Sequence, residues 1–250
     1  MAISRIAIGD FSEITKRDAL KAAVAEFICT LTFVFPAEGA NLLFGHIIKD
    51  GGLPNAMFGA TLSHAFGLFA GVAAAASISG GHASPAITFA ALLGGHITLF
   101  RSVLYFIAQM LGALSAVYLL MFANNGLRVS IYPPTNPWSA VLYEVVMMFL
   151  LAYTYYATSF DPKKAKNGIM SPLAIGLMVG ANLLSGGGLS GGAMNPAIAF
   201  AQAFISWTWS YHWVYWLGTF GGAGLGAVVY ETIFMDDHDD IYEQLPITMR

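Results

Sequence analysis

Two apolar segments with nearly the same sequence decide the fold of this chain. Residues 79–90 read SGGHASPAITFA and residues 190–201 read SGGAMNPAIAFA, and at an offset of 111 they agree at eight of twelve positions. Each segment carries the signals of a helix start, because Ser84 or Asn195 is a good N-cap residue and Pro85 or Pro196 suits the first helical position. We therefore predict a short helix beginning at each proline.

These two helices are expected to cross only half of a membrane. They run to about Leu93 and Phe204, which is roughly nine residues or ~14 Å at ~1.5 Å per residue. If they enter from opposite faces they meet near the midplane, where irregular backbone is tolerated only when protein or a water-filled cavity surrounds it. An ordinary capped helix after a Gly-rich loop would explain one copy, but two copies in register favour paired half-helices.

Six longer apolar blocks accompany these segments in a chain of 250 residues that is 57% hydrophobic and 10% charged, with a mean hydropathy of +0.65. Each block has about the ~20 residues that a helix needs to cross ~30 Å of hydrocarbon. Six spans put both termini on one face, which would hold 9 of the 11 basic residues. The positive-inside rule makes this face cytoplasmic. The blocks cover residues 19–43, 56–78, 99–123, 138–159, 169–185 and 211–235.

The spans form two units of three, with repeat one over residues 19–123 and repeat two over residues 138–235 of a single domain. A duplicated unit with an odd number of spans enters the membrane upside down in its second copy, which predicts inverted repeats. Glu26 and Glu144 are another matched pair, since each is an isolated acid in an apolar helix. Such acids could relay protons. We favour a structural role, in which they accept hydrogen bonds from N–H groups of the Gly-rich loops.

The composition also excludes several classes of protein. A soluble enzyme is close to excluded, because so few charged residues cannot coat a soluble body of this size. Net charge is −3 and no basic run exceeds Lys163-Lys164, which argues against a nucleic-acid partner. No serine has a spaced His and acid partner, and neither a cofactor nor a metal is predicted. Cys29, the only cysteine, is expected to be a buried structural thiol, and the acidic stretch 236–240 a solvated tail rather than a metal site.

Further motifs extend over nearly the whole chain. They are IAIG at 6–9, DALKAA at 18–23, HAFGLF at 64–69, DPK at 161–163, VGAN at 179–182, HWVYW at 212–216 and EQLP at 243–246. With the two boxes and these motifs, the sequence resembles the aquaporin superfamily (major intrinsic proteins), whose members carry two Asn-Pro-Ala boxes on half-helices. Within it, the sequence is most similar to the first subgroup of plant tonoplast intrinsic proteins.

The resemblance implies a fold, an assembly and a location. The fold is an all-α membrane protein with six tilted transmembrane helices plus two re-entrant half-helices in inverted repeats. The assembly is a homotetramer, or a hetero-tetramer with related channels, with one pore per subunit. The membrane is the lipid bilayer of the vacuole, the tonoplast.

The resemblance also implies the site residues. The outer constriction would consist of His64, Leu183, Gly192 and Ile198, with Tyr132 as a loop residue near this filter. Strict water channels usually have Arg at the position of Ile198, whereas the first tonoplast subgroup usually has an aliphatic residue. The first box departs from the family because Ser84 replaces Asn. The pore-midplane boxes are Ser84, Pro85 and Ala86 in the first copy and Asn195, Pro196 and Ala197 in the second.

The implied function is a passive channel for water and for small neutral solutes such as urea, glycerol, hydrogen peroxide and ammonia. Each half-helix would direct the positive end of its dipole, about +0.5 charge, toward the midplane and so repel cations. A proton-coupled secondary transporter would also use inverted repeats and broken helices, but no acid lies within either box. A closed or structural relative, in which Ser84 has abolished conduction, is the other alternative.

Overall fold

The computed structural model describes residues 6–49, 53–129, 134–164 and 168–235, and every regular element within these ranges is helical. This confirms the all-α fold class. Two π-helical turns, Tyr156–Phe160 and Leu183–Gly187, continue α5 and α6, and Phe11–Thr15 and Pro162–Lys164 form 3-10 turns. The α-helices are α1 Arg17–Lys49, α2 Leu53–Ala75, α3 Pro85–Leu93, α4 Leu99–Ala123, α5 Pro137–Tyr155, α6 Met170–Asn182, α7 Gly188–Ser190, α8 Pro196–Ser206 and α9 Trp213–Ile233.

Five helical segments within the described residues are long and apolar enough to cross a membrane by length and composition. The sixth predicted span corresponds to α9, which has 21 residues but is not among the five. Five glycines lower the hydropathy of α9 without shortening it. The five segments are Arg17–Leu43, Met57–Ala75, Leu99–Ala123, Pro137–Phe160 and Met170–Ser190.

The glycines of α9 allow it to pack closely on α5. A Cβ atom at Gly218 would lie 2.5 Å from Cβ of Glu144, and one at Gly222 would overlap the carbonyl oxygen of Val145. Gly226 continues the same face at a spacing of four residues. Small residues at this spacing let helix backbones approach each other in membranes, where packing rather than burial from water holds helices together.

The short helices connect the two units of the bundle. In the first unit α1 packs against α2 and α4, and in the second α5 packs against α6 and α9. The short helices cross over, since α3 packs on α9 and α8 packs on α4. The half-helix of each unit is therefore held partly by the last long helix of the other unit.

Two of the predictions fall on other parts of the chain. Tyr132 and the acidic stretch 236–240 lie outside the described residues.

Candidate functional site

Both short helices begin at the predicted caps. The Ser84 side chain accepts a hydrogen bond from the backbone N–H of Ala86 at 3.3 Å, and the Asn195 side chain accepts one from Ala197 at 3.0 Å. Both cap residues have extended backbone, and a proline follows each as the first helical residue. Local capping chemistry therefore sets where each half-helix starts.

The two boxes contact each other directly. Nδ2 of Asn195 donates to the carbonyl oxygen of Ala83 at 2.8 Å, and Thr30 Oγ1 donates to the same oxygen at 3.3 Å. Ala83 and Met194, which precede the two caps at the offset of 111, both have positive φ, 56° and 44°. Non-glycine residues in this region are uncommon and strained, and such strain clusters at functional sites. The N-termini of α3 and α8 are thus brought together at one point.

Glu26 holds the loop before the first box. Its Oε1 accepts hydrogen bonds from Ser79 Oγ at 2.6 Å and from the backbone N–H of His82 at 2.9 Å. Its Oε2 accepts from the backbone N–H of Ala83 at 2.9 Å and from Gln109 Nε2 at 2.8 Å. The carboxyl group is fully buried, and these donors satisfy both of its oxygens.

Glu144 holds the loop before the second box in the same way. Its Oε1 accepts from Ser190 Oγ at 2.7 Å and from the backbone N–H of Ala193 at 3.1 Å, and its Oε2 accepts from Met194 at 2.9 Å. Glu144 is also fully buried. The structure therefore places both acids against the loop N–H groups, as the structural interpretation requires.

A narrow cavity lies beside the two boxes. Its volume is about 10 Å³, close to the smallest volume that holds one water molecule. Its wall combines the two caps and a few other polar groups with apolar side chains. The wall consists of Phe33, His64, Leu68, His82, Ala83, Ser84, Ile87, Leu151, Tyr155, Val179, Gly192, Ala193, Met194 and Asn195.

The four residues of the expected outer constriction occupy two kinds of position. His64 and Gly192 belong to the cavity wall, and within the described residues Leu183 and Ile198 do not. Leu183 nevertheless lies against Gly192, because a Cβ atom at Gly192 would be 2.5 Å from Leu183 Cδ2. Ile198 is 3% exposed and belongs to the hydrophobic core, against which Leu183 also packs.

His64 has one ring nitrogen engaged by its own helix. Nδ1 lies 2.8 Å from the carbonyl oxygen of Ala60, a contact in which the nitrogen is the donor. In the neutral ring Nε2 is then the acceptor. The histidine can therefore offer one fixed acceptor to a molecule in the cavity.

The sequence did not identify the aromatic part of the cavity wall. Phe33 and Tyr155 lie in apolar helices and are indistinguishable there from packing residues. Tyr155 does carry one signal, since a buried tyrosine hydroxyl needs a hydrogen-bond partner. That hydroxyl donates toward the carbonyl oxygens of Gly81 and His82 at 3.1 and 3.3 Å, so it supports the loop before the first box.

Two other buried polar side chains join helices to one another or to the loops. Asn182 Nδ2 donates to the carbonyl oxygen of Met147 at 2.8 Å, and His82 Nδ1 lies 3.1 Å from Thr88 Oγ1. Cys29 is buried, and within the described residues no group of three or more His, Cys, Asp or Glu side chains is placed to hold a metal ion.

Comparisons with known proteins agree with this architecture. The family model for the major intrinsic proteins matches residues 13–230. The chain is 48% identical to aquaporin TIP1-1 of Arabidopsis thaliana and 47% identical to aquaporin TIP1-2 of Musa acuminata, over 99% and 98% of both chains. It shares the fold of the aquaglyceroporin from Plasmodium falciparum, with a TM-score of 0.76 and 20% identity over 86% of this chain and 96% of that one. With paired, capped half-helices around one narrow cavity, this chain belongs to the major intrinsic protein family.

Proposed function

We infer that this protein is a passive channel for water in a membrane. The observation that carries this inference is the cavity beside the paired caps. Its volume has room for about one water molecule, and both Ser84 and Asn195 border it. Family membership and the five membrane-length helical segments support the same conclusion.

The two half-helices explain how such a channel excludes ions. Each helix N-terminus carries unsatisfied N–H groups and about half a positive charge. Their joint field disfavours cations, including hydronium, whereas a neutral water can accept a hydrogen bond and turn. One Asn195 amide hydrogen is engaged by the carbonyl oxygen of Ala83, so its second hydrogen is the donor for water. His64, in the wall of the same cavity, supplies an acceptor through its Nε2.

We propose that small neutral solutes also pass. With Ile198 in place of arginine, the outer constriction lacks a fixed cation with five donors, and larger neutral molecules lose a steric and a desolvation obstacle. Urea or hydrogen peroxide flux should therefore fall in Ile198→Arg, while water flux changes less. Equal loss of both fluxes would show that the substitution only blocks or unfolds the pore.

The assembly and location that we propose follow the family. The channel is a homotetramer, or a hetero-tetramer with related subunits, in the vacuolar membrane. Both termini lie on the cytoplasmic face, where most of the basic residues would also lie.

Osmotic shrinkage of vesicles containing the purified protein tests the channel function. We expect faster water flux than in empty vesicles, solute flux that rises linearly with concentration, and no effect of a proton gradient. Saturating, proton-coupled flux would instead identify a secondary transporter. Inert vesicles would identify a closed or structural protein, and robust cation current in a planar bilayer would refute the proposed ion exclusion.

A further inference from the structure

Glu38 and Gln202 form a buried polar pair outside the cavity wall. Gln202 Nε2 on α8 donates to Glu38 Oε2 on α1 at 2.8 Å, and the two residues are 6% and 1% exposed. Within the described residues, no other side chain of α8 hydrogen-bonds to another helix. The pair therefore joins the second half-helix to the first long helix of the other unit.

The second polar atom of the Gln202 amide has no such use. Gln202 Oε1 is buried and has no hydrogen-bond partner among the described residues. A buried acceptor without a partner destabilises a fold, and an apolar side chain of similar size would avoid that penalty. Buried polar pairs add little to stability, but they can fix one arrangement of the elements that they join. The amide therefore has to be explained by what its hydrogen bond holds in place.

The hydrogen bond acts on the face of α8 that carries Ile198. Ile198 and Gln202 are four residues apart, so their side chains lie on one face of the helix. At its start α8 is fixed by the cap residue Asn195, which also bonds to Ala83. A helix held at one end can still tilt and turn about that end. The bond to Glu38, nearly two turns further along, fixes the direction in which this face points.

A bond at the equivalent place holds the first half-helix. The two matched acids, Glu26 and Glu144, are 118 residues apart, and the same offset leads from Glu38 to Tyr156. The hydroxyl of Tyr156 donates to the carbonyl oxygen of Ala90 on α3 at 2.7 Å. That bond goes to the backbone and makes no demand on the side chains of α3. On α8 the corresponding bond depends on a side chain, so a single substitution can release the second half-helix.

We propose that Glu38 and Gln202 are positioning residues for the outer constriction, and that their hydrogen bond sets the place of Ile198 within it. The inference rests on the proposed channel function. With the bond intact, Ile198 is held in the hydrophobic core against which Leu183 also packs. Without the bond, α8 is free to tilt, and the constriction then admits neutral solutes larger than water more readily. Water is the smallest of these molecules, so its flux changes less.

Urea and water fluxes in vesicles test the pair. Gln202→Leu and Glu38→Leu each remove the hydrogen bond with a side chain of similar size. We expect the urea-to-water flux ratio to rise by about three- to tenfold in each variant, the range that the loss of one net hydrogen bond allows. The double variant should show no further increase, because both substitutions remove the same bond and their effects do not add.

Two matched variants change Glu38 or its surroundings but keep the bond to α8. In Glu38→Gln, the amide of Gln202 can turn its unpaired oxygen toward the new NH₂ group, so the wild-type ratio should be retained. Asn41→Ala removes the other donor to Glu38 Oε2, which lies at 3.3 Å, and should also retain it. A raised ratio in Asn41→Ala would assign the effect to the surroundings of the acid and overturn the positioning of α8.

The Ile198→Ala background shows whether the pair acts through Ile198. Once most of this side chain is gone, its position matters little, so adding Gln202→Leu should change the ratio by less than about twofold. An effect as large as in the wild-type background would overturn the role assigned to Ile198.

The outcomes separate this inference from the channel function itself. A wild type that does not conduct water contradicts the channel function. A conducting wild type whose ratio is unchanged in the double variant, or whose two fluxes fall equally there, overturns the positioning role. If a single variant does not fold, as judged by gel filtration and circular dichroism, the double variant decides. Replacing both partners of a buried polar pair by apolar groups of similar shape is often nearly neutral.

Discussion

Replacing Glu144 by glutamine should loosen the loop that carries Gly192 and leads to the second box. The two oxygens of Glu144 accept from Ser190 Oγ and from the backbone N–H groups of Ala193 and Met194. Glutamine offers one acceptor oxygen, and its NH₂ group is a donor. In either orientation of the new amide, one backbone N–H therefore faces another donor.

The expected cost can be estimated from these contacts. A buried donor left without a partner costs about 1–3 kcal/mol, and hydrogen bonds to charged groups contribute about 1.5–3 kcal/mol each. We expect the free energy of unfolding to fall by about 3 kcal/mol in Glu144→Gln. Because the same loop positions Asn195, water permeability should fall as well.

Glu38 offers a matched control, because it is another buried acid with different donors. Its Oε2 accepts from Gln202 Nε2 at 2.8 Å and from Asn41 Nδ2 at 3.3 Å, both of which are side chains. Gln202 Oε1 is buried without a hydrogen-bond partner. In Glu38→Gln, rotation of the Gln202 amide can bring this oxygen to the new NH₂ group. The substitution should therefore cost less than about 1 kcal/mol.

Thermal unfolding in detergent, followed by tryptophan fluorescence, measures both variants. A loss of about 3 kcal/mol corresponds to a decrease of roughly 6–12 °C in Tm for a chain of this length. We expect that decrease in Glu144→Gln and only a few degrees or less in Glu38→Gln. Equal decreases in the two variants would refute the reasoning, since burial of the acid alone, and not its backbone donors, would then explain the effect.

Three further predictions concern other parts of the channel. Cys29 is buried and is not part of the cavity wall, so mercuric ion should reduce water flux only weakly, and strong block abolished by Cys29→Ser would contradict this. Gly192→Ala combines a positive φ of 61° with a contact to Leu183 and should cost about 1–3 kcal/mol in thermal unfolding. Gly188→Ala, whose Cβ meets its nearest neighbour at 3.5 Å, should be nearly neutral, and similar losses in both would contradict the strain. Ser84→Asn should change water permeability in vesicles by less than about tenfold, since one net hydrogen bond is worth ~0.5–1.5 kcal/mol. An inert wild type that becomes a fast channel in Ser84→Asn would favour the closed form.

The sequence predicts the fold well where the signal is local. Caps and prolines at the two boxes are read from neighbouring residues, and α3 and α8 begin where these signals place them. The hydrogen bonds of Glu26 and Glu144 could also be predicted from the sequence, because an isolated acid in an apolar helix needs donors and the Gly-rich loops supply them. The loop donors repeat at the offset of 111 residues, since those of Glu26 (Ser79, His82 and Ala83) correspond to those of Glu144 (Ser190, Ala193 and Met194).

Residues that meet across helices could not be predicted in this way. Phe33 and Tyr155 reach the cavity because of how α1 and α5 are rotated against the loops, which a single hydrophobic pattern does not encode. The role of Ile198 at the constriction stays a prediction from the family resemblance.

The difference between the two boxes is compensated by their surroundings. Asn195 uses its oxygen as a cap and its NH₂ group to join Ala83, so one side chain ties the two segments together. Ser84 has a single oxygen, which serves as the cap, and in the described part of the chain no bond to the second segment is made by its hydroxyl. The loop before Ser84 is held by Glu26, which accepts from Ser79 Oγ, from two backbone N–H groups of the loop and from the Gln109 amide. Glu26 therefore fixes the loop that leads into the first half-helix. The fold can accept serine in place of asparagine at position 84, because the side chain of this residue is not needed to hold the loop.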